Sequence, residues 1–96
     1  NTPKSLECNQ NGLRLSKKMG DKGWTYEFLL PIGSIYQAQG DTSQALKNYK
    51  EALAISLELK NTTSEATALI NIGNLYRKTN MIKALDCYNK ALLLFV

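Results

Sequence analysis

Hydrophobic residues recur at intervals of three and four along the whole chain, and polar breaks divide them into five segments. This spacing is typical of amphipathic helices, whereas strands would show strict alternation. The pattern therefore predicts an all-α fold, with helices at about residues 4–19, 24–39, 42–59, 64–79 and 81–95. Because the connections are short, neighbouring helices should run antiparallel and form stacked hairpins.

The breaks contain residues that typically end one helix and begin the next. Gly40 suits the left-handed position after a helix, and Asp41 or Thr42 suits the N-cap that follows. In the next break, Ser64 is predicted to cap a helix that begins with Glu65.

A proline and a shortened interval predict two local departures from regular helical hairpins. Pro31 falls inside the second predicted helix, where the lost hydrogen bond predicts a kink or a late helix start. The interval from Gly33 to Ala45 is twelve residues, whereas that from Gly73 to Ala84 is eleven. We therefore expect a tighter turn before the last helix.

The second and fourth predicted helices carry nearly the same sequence, LLPIGSIY and LINIGNLY, forty residues apart. The positions that recur are Leu29, Ile32, Gly33 and Tyr36, matched by Leu69, Ile72, Gly73 and Tyr76. A fixed period with matched residue types indicates a repeat architecture. Glycine inside a helix costs about 1 kcal/mol relative to alanine. Its recurrence predicts that the following helix of each hairpin approaches too closely for a Cβ.

The third and fifth predicted helices share a second pattern of small and aromatic residues. It consists of Ala45, Tyr49 and Ala52, matched by Ala84, Tyr88 and Ala91. Spacing at i, i+4 and i+7 puts each set on one helix face, which we expect to contact the glycine helices. The first helix has Ser5, Asn9 and Gly12 instead, so it is predicted to be a degenerate or terminal element.

These two patterns together resemble the tetratricopeptide repeat, in its branch with repeats of about forty residues. The resemblance covers most of the chain and implies a right-handed α-solenoid of stacked helical hairpins. It implies the trailing helix of a preceding or degenerate repeat in residues 1–23, a first full repeat in 24–63 and a second in 64–96. The chain begins halfway through a repeat, so we expect residues 1–96 to be one domain and a fragment of a longer array.

The resemblance also implies a function, because the first helix of each repeat lines a concave groove that commonly binds a peptide or helix of another protein. A rotation of 100° per residue places ten side chains of the second and fourth helices away from the core. These predicted groove residues are Glu27, Leu30, Ser34, Gln37, Thr67, Ile70, Asn71, Asn74, Arg77 and Lys78. They offer amides and hydroxyls to a ligand backbone and two cations to an acidic group. The clamp that some family members use for a C-terminal carboxylate is not predicted, because other residues hold its lysine and arginine positions.

Charge supports one alternative interpretation. The formal net charge is +4, and the excess of cations lies in residues 1–25 and 77–96. A basic surface could contact nucleic acid or acidic lipid through Arg14, Lys17, Lys18, Arg77, Lys78 and Lys83. The case for nucleic acid is weak, because no long basic run or aromatic platform accompanies these residues.

Self-association is a second alternative. The chain ends on an apolar run that includes Leu92, Leu93 and Phe95. An uncapped repeat end exposes its stacking face. Two copies could therefore form a homodimer through their open ends.

The sequence offers little for catalysis or for cofactors. The chain has no histidine, which excludes a Cys-His nucleophile and a Cys/His zinc site. Its carboxylates are scattered, so neither an enzymatic activity nor a metal or other cofactor is predicted. Cys8 and Cys87 are expected to act as small apolar fillers. Trp24 and Tyr26 could form an aromatic binding patch, but packing against the first hairpin is the favoured expectation.

Two further observations concern location. No apolar stretch approaches the ~20 residues that a membrane span needs. The N-terminus also lacks the apolar core of a signal peptide. The sequence therefore predicts a cytoplasmic protein.

Overall fold

The computed structural model describes residues 2–96, with side chains from Lys4 onward. Within these residues the fold consists of helices without strands, which confirms the all-α prediction. The helices are α1 (Thr2–Met19), α2 (Lys22–Ala38), α3 (Thr42–Glu58), α4 (Thr62–Tyr76) and α5 (Met81–Leu93). Each helix packs mainly on its neighbours in sequence. Antiparallel hairpins therefore stack side by side, as in an α-solenoid, within 35 × 30 × 17 Å.

Three of the four turns have the same construction, repeated every twenty residues. A left-handed residue follows the helix in each case: Gly20 with φ 70°, Gly40 with φ 81° and Lys60 with φ 54°. The next residue caps the following helix, and its own N–H donates to the carbonyl five residues back. The capping residues are Asp21, Asp41 and Asn61. Glycine adopts positive φ without strain, whereas Lys60 does so at some cost.

These turns confirm one capping prediction and correct another. Gly40 is left-handed, and the Asp41 side chain accepts the N–H of Gln44 at 3.1 Å, both as predicted. The prediction that Ser64 is an N-cap is wrong. Its N–H instead donates to the side chain of Asn61 at 3.0 Å, because α4 begins two residues earlier than predicted.

The turn between α4 and α5 is one residue shorter, as the sequence interval predicted. Asn80 caps α5 by accepting the N–H of Lys83 at 3.1 Å. Its own N–H reaches back four residues, to the carbonyl of Tyr76 at 2.7 Å. The predicted end of this helix at residue 79 is wrong, because the chain must leave α4 after Tyr76 to reach the cap. Arg77 and Lys78 therefore lie in the turn rather than within the helix.

Two other predicted boundaries also need correction. Helix α2 begins at Lys22 and runs without interruption through Pro31, so a late start after the proline is wrong. The side chain of Asp21 accepts the N–H of Trp24 at 3.0 Å and so fixes this earlier start. Helix α5 ends at Leu93 rather than at residue 95.

A tyrosine ring fills the space left by each helical glycine of the repeat. A Cβ on Gly33 would lie 2.5 Å from Cε1 of Tyr49, and one on Gly73 would lie 2.7 Å from Cε1 of Tyr88. Each ring comes from the following helix of the same hairpin, as predicted. Around these contacts the predicted apolar positions are buried: Leu29, Ile32, Ala45, Ala52, Leu69, Ile72, Ala84 and Ala91.

Helix α1 uses a variant of this packing. A Cβ on Gly12 would lie 2.5 Å from Cε1 of Phe28, so a ring of α2 occupies the space beside α1. Forty residues on, the equivalent positions hold Ala52 and Ala68, both fully buried. The α1–α2 interface thus pairs a glycine with a large ring, where the equivalent α3–α4 interface has two alanines.

The two glycine–tyrosine contacts should differ in their tolerance of a methyl group. Gly33→Ala is expected to lower the free energy of unfolding by about 1–3 kcal/mol, because Tyr49 is fully buried and has nowhere to move. Gly73→Ala should cost less, because Tyr88 is only partly buried and its ring can shift towards solvent. The gain in helix propensity is the same at both positions. Urea unfolding followed by circular dichroism measures both. Gly23→Ala is the control, since a Cβ there meets an atom only at 3.5 Å. Equal losses at the two repeat glycines would contradict this packing argument.

Candidate functional site

Helices α2 and α4 lie side by side and run in the same direction, because each begins a hairpin. The hydroxyl of Tyr26 in α2 donates to the carbonyl of Ser64 in α4 at 2.8 Å. Leu30 of α2 packs against the buried cluster that contains Ile72 and Leu75 of α4. We call the exposed surface of these two helices the α2–α4 groove.

One end of the α2–α4 groove contains a pocket of about 470 Å³, between the turns that follow the two helices. We call it the turn pocket. Its lining residues are Gln37, Thr42, Asn74, Leu75, Arg77, Lys78 and Thr79. Four of them were predicted as groove residues: Gln37, Asn74, Arg77 and Lys78. The structure thus brings side chains of both hairpins together.

The tyrosines that cover the glycines also reach this surface. The hydroxyl of Tyr49 donates to Oε1 of Gln37 at 2.9 Å and lies 3.1 Å from Oγ of Ser34. The hydroxyl of Tyr88 donates to Oδ1 of Asn74 in the same way. Both amides accept through oxygen, so their NH₂ groups remain donors, and within residues 2–96 neither nitrogen has a hydrogen-bond partner.

The other predicted groove residues are spread along α2 and α4. Ile70 is 43% exposed, whereas Leu30 and Asn71 are half-buried. Thr67 is exposed, and its hydroxyl donates to the carbonyl of Thr63 at 2.9 Å. Glu27 lines a different pocket, near the start of α2, with Asp21, Gly23 and Trp24. The ten predicted residues therefore form an extended surface rather than a single pocket.

Three residues of the turn pocket were missed by sequence reasoning: Thr42, Leu75 and Thr79. Thr79 was predicted to be helical, and the correction of α4 places it in the turn. Thr42 was considered only as a capping residue, although it begins α3 beside the end of α2. The sequence signals for this pocket were the helical rotation that pointed to four of its residues and the interval shortened by one residue.

The sequence model of the tetratricopeptide repeat matches residues 23–95. The chain belongs to the tetratricopeptide repeat family. This agrees with its stacked helical hairpins and with its glycine–tyrosine packing. A search among curated proteins gave no match. Tetratricopeptide repeat domains generally mediate interactions between proteins and are typically non-catalytic. Within residues 2–96, none of the helices has the length and apolar character needed to cross a membrane.

The cations of this tetratricopeptide repeat chain do not form one patch. Those of α1 lie at one end of the stack, where Lys17 pairs with Glu51 at 2.9 Å and Arg14 bonds to Asn11. Arg77 and Lys78 lie in the turn pocket, and Lys83 stands 5.2 Å from the centre of the Tyr76 ring. A polyanion would therefore have to contact cations on α1, in the turn pocket and on α5.

The predicted self-association residues lie at the end of α5 and in the segment that follows. Leu92, Leu93 and Phe95 are all more than 60% exposed. Leu53, at the position in α3 equivalent to Leu92, packs against buried residues of α4. Whether this surface self-associates stays a prediction.

The aromatic and cysteine predictions are each confirmed at one residue. Tyr26 is buried in the core with Leu29, whereas Trp24 is 58% exposed and stacks on Phe28 with 5.7 Å between ring centres.

Cys87 packs against the core cluster, and burial raises the pKa of its thiol. Cys8 is exposed, so the filler prediction is wrong for that residue.

Tyr26→Phe should weaken the contact between α2 and α4, and so between their two hairpins. Losing the hydrogen bond to Ser64 is expected to cost about 1 kcal/mol in unfolding free energy. Tyr36→Phe, which removes a hydroxyl that Gln10 contacts at 3.4 Å, is the control and should cost less.

The same variant should change the response to alkaline pH. Burial raises the pKa of Tyr26 above its ordinary value of 10.0. The stabilisation from the neutral phenol is therefore complete below pH 10.0 and is lost as pH rises through the folded-state pKa. Urea unfolding at several alkaline pH values should show a shallower loss of stability in Tyr26→Phe than in the wild type. Parallel losses would contradict this assignment.

Proposed function

We propose that this chain is a non-catalytic scaffold that binds a peptide or helical segment of another protein in the α2–α4 groove. The observation that carries the proposal is the turn pocket, to which Gln37 contributes from α2 and Asn74 from α4. Since both hairpins line one pocket, a ligand there would contact the two repeats together. The free NH₂ groups of these amides are suited to bind backbone carbonyls of an extended segment.

The proposal includes the division of the chain into repeats at residues 24–63 and 64–96, preceded by a trailing helix in 1–23. The caps support it, because Asp21 and Asn61 open equivalent helices forty residues apart. The non-catalytic assignment rests on the family, whose members typically act as interaction modules. A cytoplasmic location stays a prediction from the sequence.

Ile70 provides the sharpest test of the groove. It projects from α4 with 43% of its surface exposed, so Ile70→Arg should leave the fold intact while it blocks the middle of the groove. Peptides selected from a random phage-displayed library against the wild-type chain serve as ligands. Fluorescence anisotropy should show roughly tenfold weaker binding of these peptides to Ile70→Arg.

Leu57→Arg is the matched control, because Leu57 lies on α3, is 52% exposed and receives the same charge. It should change affinity by less than about twofold. Equal losses in the two variants, or peptide-induced NMR shifts confined to α3 and α5, would refute binding in the groove.

We also propose that the exposed face of α5 supports self-association, because Leu53 is covered by α4 whereas its equivalent Leu92 is 64% exposed. Light scattering over a concentration series should show a mass that rises above the 10.7 kDa of one chain. The double variant Leu93→Glu/Phe95→Glu should stay monomeric, because it charges the apolar face.

The matched control for self-association is Leu57→Glu/Leu59→Glu. It adds the same two negative charges at two exposed leucines, Leu57 within α3 and Leu59 at the C-cap of that helix. This variant should associate as the wild type does. A constant mass of 10.7 kDa for the wild type would refute the dimer.

A further inference from the structure

The polar lining of the turn pocket consists of groups that can donate hydrogen bonds. Of its seven residues, two carry an amide, two a cation, two a hydroxyl and one an alkyl group. We propose that this pocket binds side-chain carboxylates of an acidic, extended peptide segment. The inference rests on the proposed function and specifies the chemistry of the partner at one end of the α2–α4 groove.

The amides of Gln37 and Asn74 are oriented so that their NH₂ groups can donate to a hydrogen-bond acceptor of the ligand. Oε1 of Gln37 accepts from Tyr49 and Oδ1 of Asn74 accepts from Tyr88, so each oxygen is already engaged by the protein. Each NH₂ group is left to donate. A carboxylate oxygen accepts such bonds without first having to reorient the amide.

The cations outweigh the local negative field. The pocket lies at the carboxyl ends of α2 and α4, where each helix dipole contributes about half a negative charge. Arg77 and Lys78 add two full positive charges at the same place. Asp41, the nearest carboxylate in sequence, keeps its negative charge, but as the cap of α3 it faces the positive end of that helix dipole, which opposes it. The balance therefore favours an anion.

The opposite end of the groove has the opposite charge. Glu27 and Asp21 line the pocket near the start of α2. Ten residues of helix separate Glu27 from Gln37, a distance of about 15 Å along the axis. An acidic segment is therefore favoured only at the turn pocket. A long polyanion such as nucleic acid would also have to pass the carboxylate of Glu27.

The test is an NMR titration of the isotope-labelled chain with two synthetic peptides of about ten residues, acetylated and amidated at their ends. One alternates glutamate with serine, and the other alternates glutamine with serine. The glutamate peptide should bind at least about fivefold more tightly. It should also shift the side-chain NH₂ signals of Gln37 and Asn74.

Two variants separate the turn pocket from general charge attraction. Arg77→Gln/Lys78→Gln should reduce the preference for glutamate to within about twofold. Lys47→Gln/Lys50→Gln removes the same charge from exposed positions on α3, outside the pocket, and should keep the preference. Circular dichroism confirms that both variants are folded.

Several outcomes would overturn the inference. They are equal affinity for the two peptides, equal loss of preference in both variants, and tighter binding of a single-stranded oligothymidylate at the same NH₂ signals. Binding that requires a free C-terminal carboxylate, tested with unamidated versions of both peptides, would also overturn it. If peptide binding still depends on Ile70, the proposed groove survives these results. If glutamate binds at the turn pocket while no selected peptide depends on Ile70, the groove assignment fails instead.

Discussion

The rest of the structure depends on the missing Cβ atoms at Gly33 and Gly73. Each gap admits a tyrosine ring from the next helix to within a distance that a methyl group would forbid. The intrinsic cost of a helical glycine is about 1 kcal/mol, and burial of a large aromatic ring offsets it. Since the same contact occurs in both hairpins, it sets the close approach of α2 to α3 and of α4 to α5.

This packing also connects the core to the proposed binding surface. The ring of Tyr49 is buried over Gly33, while its hydroxyl reaches Ser34 and Gln37 at the surface. Tyr88 connects Gly73 to Asn74 in the same way. The outer helices α3 and α5 therefore fix polar groups of the inner helices α2 and α4. Side chains fixed before binding lose less conformational entropy when a ligand arrives.

The sequence was sufficient to predict the core and most of the helices, because packing repeats with the period of the chain. Gly33 and Gly73 carry the same constraint, and aligning them identified the buried faces. Turn geometry was less predictable. Lys60 adopts the left-handed conformation found at Gly20 and Gly40, although its side chain gives no signal for it. The turn pocket was not predicted as a unit, because it requires knowing where Gln37 meets residues almost forty positions away.

The two repeats are nearly identical where they pack and differ where they turn. In the first repeat, the chain remains helical to Ala38 and needs a left-handed Gly40 before the cap. In the second, one residue is missing, α4 ends at Tyr76, and Arg77 begins the turn. The core tolerates no such change, because a shift within a helix would move a glycine away from its tyrosine. The length of a turn is less constrained, since only its cap has to be satisfied. The two repeats therefore differ most at the turn pocket, where Arg77 and Lys78 occupy the positions of Gln37 and Ala38 in the first repeat and the packing is unchanged.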